Sequence, residues 1–115
     1  MKLKKIVDKL KLKVLSGKEY LDREVKGGYS GDMLSDVLAN SKEGDIWLTV
    51  QVHPNIVAVS SMKGHCAVLI TNCKEVDKET LEKAEEEKVV ILSTKLDSFS
   101  CIKEIVKLMK DEGQS

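Results

Sequence analysis

Aromatic residues are scarce in this chain: Trp47, Tyr20, Tyr29 and Phe99 are all it has among 115 residues. That excludes a base-stacking platform for single-stranded nucleic acid. It also leaves the core to Val, Leu, Ile and Ala, which suits a buried parallel sheet. Net charge is missing too, since 19 basic residues balance 19 acidic ones. A neutral chain is a poor candidate for nucleic-acid binding by phosphate neutralisation. The lysines of the amino end (Lys2, Lys4, Lys5, Lys9, Lys11, Lys13) read as one solvated helix face. No apolar run is long enough to cross a membrane, and Met1 is not followed by a secretory leader pattern. The expectation is a cytoplasmic protein without a membrane partner.

Cysteine is limited to Cys66, Cys73 and Cys101, with no CxxC spacing. An odd, scattered set of this kind predicts small core hydrophobes, with no disulfide framework, metal site or cofactor. No linker, repeat or low-complexity tract divides the sequence, so residues 1–115 are read as one domain.

What is present is aliphatic periodicity. Leu3, Ile6, Val7 and Leu10 have helical spacing, and Leu12 to Leu15 alternates as a strand. Three nearly continuous apolar runs follow, at Ile46–Val50, Cys66–Ile70 and Val89–Leu92. Each is read as a strand covered on both faces, and each precedes a helical pattern. Pro54 suits the first turn of the helix after the first run. Asp32 or Ser30 is expected to cap a helix carrying Met33, Leu34, Val37 and Leu38. Asp77 or Thr80 is expected to start the next, and Asp97 or Ser98 the last. That last helix is predicted to turn Cys101, Ile102, Ile105, Val106, Leu108 and Met109 inward, and Asp111 to Ser115 is predicted to fray. Strand–helix alternation predicts an α/β fold: three layers, α/β/α, around a largely parallel sheet.

Ligands of open parallel sheets settle outside the carboxyl ends of the strands. Those ends carry His53 and Asn55, Asn72, and Ser93 and Thr94, which become candidate anion or nucleotide contacts. Gly27 and Gly28 form a further candidate, as a turn with positive φ or as a point of close approach. His53 is the best-placed titratable group, and His65 is expected at the opposite end of the sheet. No GxSxG elbow, HExxH pair or paired-carboxylate pattern occurs, so no catalytic residue is assigned.

The run Asp22-Arg23-Glu24-Val25-Lys26-Gly27-Gly28-Tyr29 resembles the signature of the DRTGG domain. Here Glu24-Val25-Lys26 stands between Arg23 and the glycines, and the threonine is absent. Asp32–Leu38, Gly44–Thr49 and Ile91–Thr94 fit the same pattern, so the chain resembles a stand-alone copy. The resemblance implies a fold similar to the amino-terminal domain of HPr kinase/phosphorylase, and a regulatory or dimerising module without catalytic residues. Asp22, Arg23 and Tyr29 then take structural or interface roles, in a homodimer that senses a small anionic or nucleotide ligand. Gln51–Val59 resembles short stand-alone members associated with iron-hydrogenase and NADH-linked redox systems. This implies, as an alternative, a redox-complex partner bound through an apolar patch near Trp47 or Tyr29. A small phosphate-handling enzyme using His53 with Ser93 or Thr94 is the remaining alternative.

Overall fold

The computed structural model describes residues 1–73 and 75–113. In chain order they form α1 (Leu3–Leu10), β1 (Lys13–Ser16), a 3-10 turn (Lys18–Tyr20), β2 (Gly27–Ser30), α2 (Leu34–Asn40) and β3 (Asp45–Thr49). There follow α3 (Asn55–Lys63), β4 (Ala67–Ile70), α4 (Lys78–Glu86), β5 (Ile91–Ser93) and α5 (Ser98–Asp111). The strand order is β1-β5-β4-β3-β2. The strands β2 to β5 are parallel, and β1 closes one edge antiparallel to β5. The α/β architecture and the three aliphatic strands are as the sequence predicts.

The topology explains the layers. Strands β2 to β5 are added one after another in a single direction. Right-handed crossovers then put all the connecting helices on one face. Accordingly α2, α3 and α4 pack there through Val37, Ile56, Val57 and Ala84 against Trp47, Val68, Ile70 and Ile91. The opposite face receives α1 and α5, whose Leu3, Ile6, Cys101 and Ile105 meet Ile46, Leu48, Leu69 and Leu92. Alternate strand residues thus feed two cores, which is why these strands carry no polar face. All five residues of β3 are buried.

Several expectations are corrected. Gly27 and Gly28 do not form a positive-φ turn. They lie in β2, in register with Asp45 and Ile46, and neither is among the described glycines with positive φ. Close approach is the part that holds at Gly27, where an added Cβ would stand 3.0 Å from Asp45 Oδ1. Asp32 does not cap α2, because Met33 occupies that position without a side-chain bond. Asp32 Oδ1 instead accepts from Thr49 Oγ1 at 2.7 Å and from Val50 N at 2.9 Å, tying down the loop after β3. Ser30 belongs to β2 rather than to a cap. Asp77 sits at the α4 cap position with no capping bond, and Thr80 lies inside α4, where its hydroxyl donates to Val52 O. On α5, Ile102 and Val106 face solvent rather than the core. Trp47 is wholly buried and donates from Nε1 to Gly31 O at 2.9 Å, so no exposed patch forms at it. Asp97 caps α5 as expected, accepting from Ser100 N at 3.1 Å. The predicted fraying reaches residues 114 and 115, which lie outside the described residues.

Candidate functional site at the carboxyl edge of the sheet

The loops after β4 and β5 leave the same sheet edge for opposite faces. One leads to α4, packed with the crossover helices, and the other to α5 on the far side. A crevice opens wherever neighbouring connections diverge in this way. A cavity of about 530 Å³ lies there, on the α4 side of the β1 edge. Its floor is apolar, with Leu15, Val76 and Leu81. Ser93 and Thr94 add polar groups to its wall, beside Cys73.

Among the described residues, Lys11, Lys13 and Lys95 line this cavity, against one acidic residue, Glu75. A chain with no net charge thus concentrates positive charge at one crevice. The local fold brings them together. Lys11 ends α1 in the left-handed conformation (φ 53°) and turns the chain into β1. Antiparallel pairing then sets Lys13 directly beside Ser93. The Thr94 carbonyl accepts from Cys73 N at 2.9 Å, and Thr94 Oγ1 accepts from Leu96 N at 3.2 Å, which holds the loop ahead of α5.

The candidate residues of the sequence fall into separate groups. Ser93 and Thr94 line the cavity. His53 and Asn55 stand at the same sheet edge, before and at the start of α3, outside the cavity lining. His53 Nδ1 meets Asp77 Oδ2 at 3.0 Å, an exposed pair that links the α3 and α4 starts. Asn72 holds a left-handed conformation (φ 50°), and its amide donates to Leu96 O. Gly28 and Tyr29 border a small apolar groove of about 170 Å³ beside α5. The Tyr29 hydroxyl donates to Asp36 Oδ2 at 2.5 Å, and that bond holds the phenol above its ordinary pKa.

Asp22 and Arg23 lie at the opposite, amino edge. Arg23 Nη2 donates to Lys88 O at 2.6 Å, and its guanidinium sits 4.7 Å over the Tyr20 ring. These contacts clamp the segment before β2 onto the α4–β5 corner, an intramolecular role. Asp22 is exposed. His65 is at that far edge too, buried against Trp47 with ring centroids 5.5 Å apart.

The cysteines behave as small hydrophobes. Burial pushes the Cys66 thiol up to about 12 and Cys101 up to about 11, and it raises Cys73 as well. Among the described residues no group of His, Cys, Asp and Glu is arranged to hold a metal ion. No helix among them is long and apolar enough to cross a membrane.

The sequence reading missed Lys11, Lys13 and Lys95. The first two were absorbed into a helix face, and only the antiparallel edge pairing reveals where they lead.

Comparison with known proteins agrees with this architecture. The family model of the DRTGG domain matches residues 5–108. No curated protein matches. Among solved structures, the chain is similar to the CBS and DRTGG domains of the regulatory region of Clostridium perfringens pyrophosphatase, complexed with its activator diadenosine tetraphosphate. Identity is 21%, the TM-score is 0.72, and the match covers 89% of this chain and 44% of that one. The chain therefore spans less than half of that relative, and the likeness establishes the fold.

Proposed function

The chain belongs to the DRTGG domain family, and from that premise we propose that it is a non-catalytic regulatory module that binds a phosphate-bearing ligand, a nucleotide, at the carboxyl-edge cavity. The observation that carries this reading is the convergence of Lys11, Lys13 and Lys95 on a crevice with the Ser93 and Thr94 hydroxyls. Lysine supplies mobile point charges for phosphate oxygens, and hydroxyls supply short donors. The apolar floor at Leu15, Val76 and Leu81 accommodates a base or ribose. The activator in the similar pyrophosphatase region is itself a nucleotide, which supports the ligand class. Among the described residues, no side-chain hydrogen bond joins Cys73, Ser93 or Thr94 of the cavity to a base, and His53 is paired with Asp77 outside it.

Calorimetric titration with adenosine triphosphate tests the reading. Wild-type protein should bind, and affinity should fall with salt. Lys13→Ala and Lys95→Ala should each weaken binding about tenfold, the loss of one charge-assisted contact of about 1.4 kcal/mol. Binding that both variants leave untouched would remove the cavity from the account.

The module also works as a homodimer in this reading. Support comes from α5, where Phe99, Ile102 and Val106 form an exposed apolar stripe beside the free edge of β2. Light scattering should give twice the chain mass, and Phe99→Asp should reduce it to one chain.

A further inference from the structure

The two edges of the sheet are built differently. At the β1 edge the register slips between Val14 and Ser16, and Lys13 stands on the strand. Bulges and lysines are the usual devices that stop an edge strand from adding another strand. The β2 edge has neither. Gly27, Gly28, Tyr29 and Ser30 carry no charge and follow β3 without a register shift. The amino terminus covers the chain just ahead of them, where Val25 N donates to Met1 O at 2.8 Å. Among the described residues, no strand lies on the outer side of β2.

The ladder decides which backbone groups face outward. Ser30 stands opposite Leu48, and Gly31 N donates to Leu48 O at 3.1 Å. Backbone direction alternates along a strand, so Tyr29 turns its N–H and C=O towards β3, as Gly31 does. Gly28 and Ser30 turn theirs away from the sheet, and both residues are exposed. Beside them, on the α5 face, runs the apolar groove of about 170 Å³ whose helical wall holds Ile102, Val106 and Met109. Phe99, 80% exposed, extends that stripe towards the start of α5.

We infer that two copies of this chain join edge to edge through β2, antiparallel about a two-fold axis at Tyr29, an inference that rests on the homodimer reading above. This register sets Gly28 of each copy opposite Ser30 of the other, so the outward-facing residues exchange both of their hydrogen bonds. The Tyr29 pair on the axis is of the non-hydrogen-bonded kind, in which side chains stand closest. Charge selects the same axis. Lys26 precedes Tyr29 by three residues and Asp32 follows it by three, so Lys26 of each copy is carried towards Asp32 of the other. An axis at Gly28 would instead oppose Glu24 and Asp32, two like charges. On the α5 face the Ile102 and Val106 stripes of both copies meet over the seam and cover both grooves. A lone extended peptide on β2 would leave that stripe in water. Two-fold pairing also uses up both open edges, so assembly stops at two chains.

Sedimentation and amide hydrogen exchange on the intact chain test the inference, together with Ser30→Pro. That substitution removes an outward N–H, at a kind of position where edge strands tolerate proline. Wild-type protein should sediment as a dimer. Its Gly28 and Ser30 amides should exchange slowly at high concentration, and about tenfold faster or more once diluted to single chains. Ser30→Pro should sediment as one chain with the circular dichroism of the wild type. The exchange measurement needs no variant, so it decides the matter if Ser30→Pro does not fold. A wild-type protein that sediments as one chain overturns both this inference and the homodimer reading. A wild-type dimer whose Gly28 and Ser30 amides exchange freely, or a Ser30→Pro protein that remains a dimer, overturns the β2 pairing alone.

Discussion

Ser16→Ala tests how the edge of the sheet is built. The register between β1 and β5 slips after Val14, which pairs with Leu92, so that Ser16 faces Ile91. A bulge leaves ladder groups unpaired. The Ser16 hydroxyl replaces them, donating to Val89 O at 2.9 Å and accepting from Ile91 N at 3.0 Å. Ser16 is 1% exposed, so water does not take over when the hydroxyl is removed. Each stranded buried group costs about 1–3 kcal/mol, the carbonyl less than the amide, so the total is about 2–4 kcal/mol. That is a large share of the roughly 5–15 kcal/mol that holds a domain of this kind together. At about 3–5 °C per kcal/mol for this size, melting should fall by about 6–20 °C in calorimetry. The urea midpoint should fall with an unchanged slope. A decrease of under about 2 °C would mean that β1 repairs its own ladder, and the reasoning would be wrong. Because β1 carries Lys13, the variant should also lose affinity for a carboxyl-edge ligand.

Further outcomes separate the signature glycines, the caps and the thiols. Gly28→Ala meets only Ile46, at 3.5 Å, and should raise stability by about 0.4–1 kcal/mol in urea unfolding. Gly27→Ala should be about 1 kcal/mol less stable than Gly28→Ala, because the new methyl presses on Asp45 while that carboxylate holds Lys42 N at 2.8 Å. Asp97→Ala should lower the melting temperature at pH 7. The Ser100 hydrogen bonds depress the Asp97 pKa in the folded state, so its contribution is present above the unfolded carboxylate pKa and is lost as pH falls through the folded one. The difference between wild type and variant should therefore shrink in acid. Thiol titration at pH 8 should modify Cys73 first, while Cys66 and Cys101 react only on unfolding.

Residues buried on both sides were the most legible part of the fold. The runs at Ile46, Cys66 and Val89 announce strands because nearly every side chain in them must be apolar. Their parallel order follows from the helices between them. The β2 strand was hidden because Gly27 and Gly28 have no side chains to show a period of two, so they read as a turn. The cap at Asp32 failed for a related reason. A carboxylate can serve the backbone of its own helix or that of a neighbouring loop, and only the β3 pairing brings Thr49 and Val50 within its reach. Exposure of Ile102 and Val106 was not legible either, since an amphipathic pattern does not say how wide the covered stripe is. At the candidate site, the position of Ser93 and Thr94 at a strand's carboxyl end is legible from sequence alone. The lysines that give the crevice its charge come from a helix end and an antiparallel edge, contacts distant in sequence that local spacing does not encode. That His65 Nδ1 is buried without a partner among the described residues shows only once Ser41 and Val37 are placed.

The regulatory reading stands on where a nucleotide sits. Backbone amide spectra recorded through a titration with adenosine triphosphate locate it directly. The account predicts saturable shifts grouped at Lys11, Lys13, Ser93, Thr94 and Lys95. Shifts confined to β2, or no shifts at all, would contradict it.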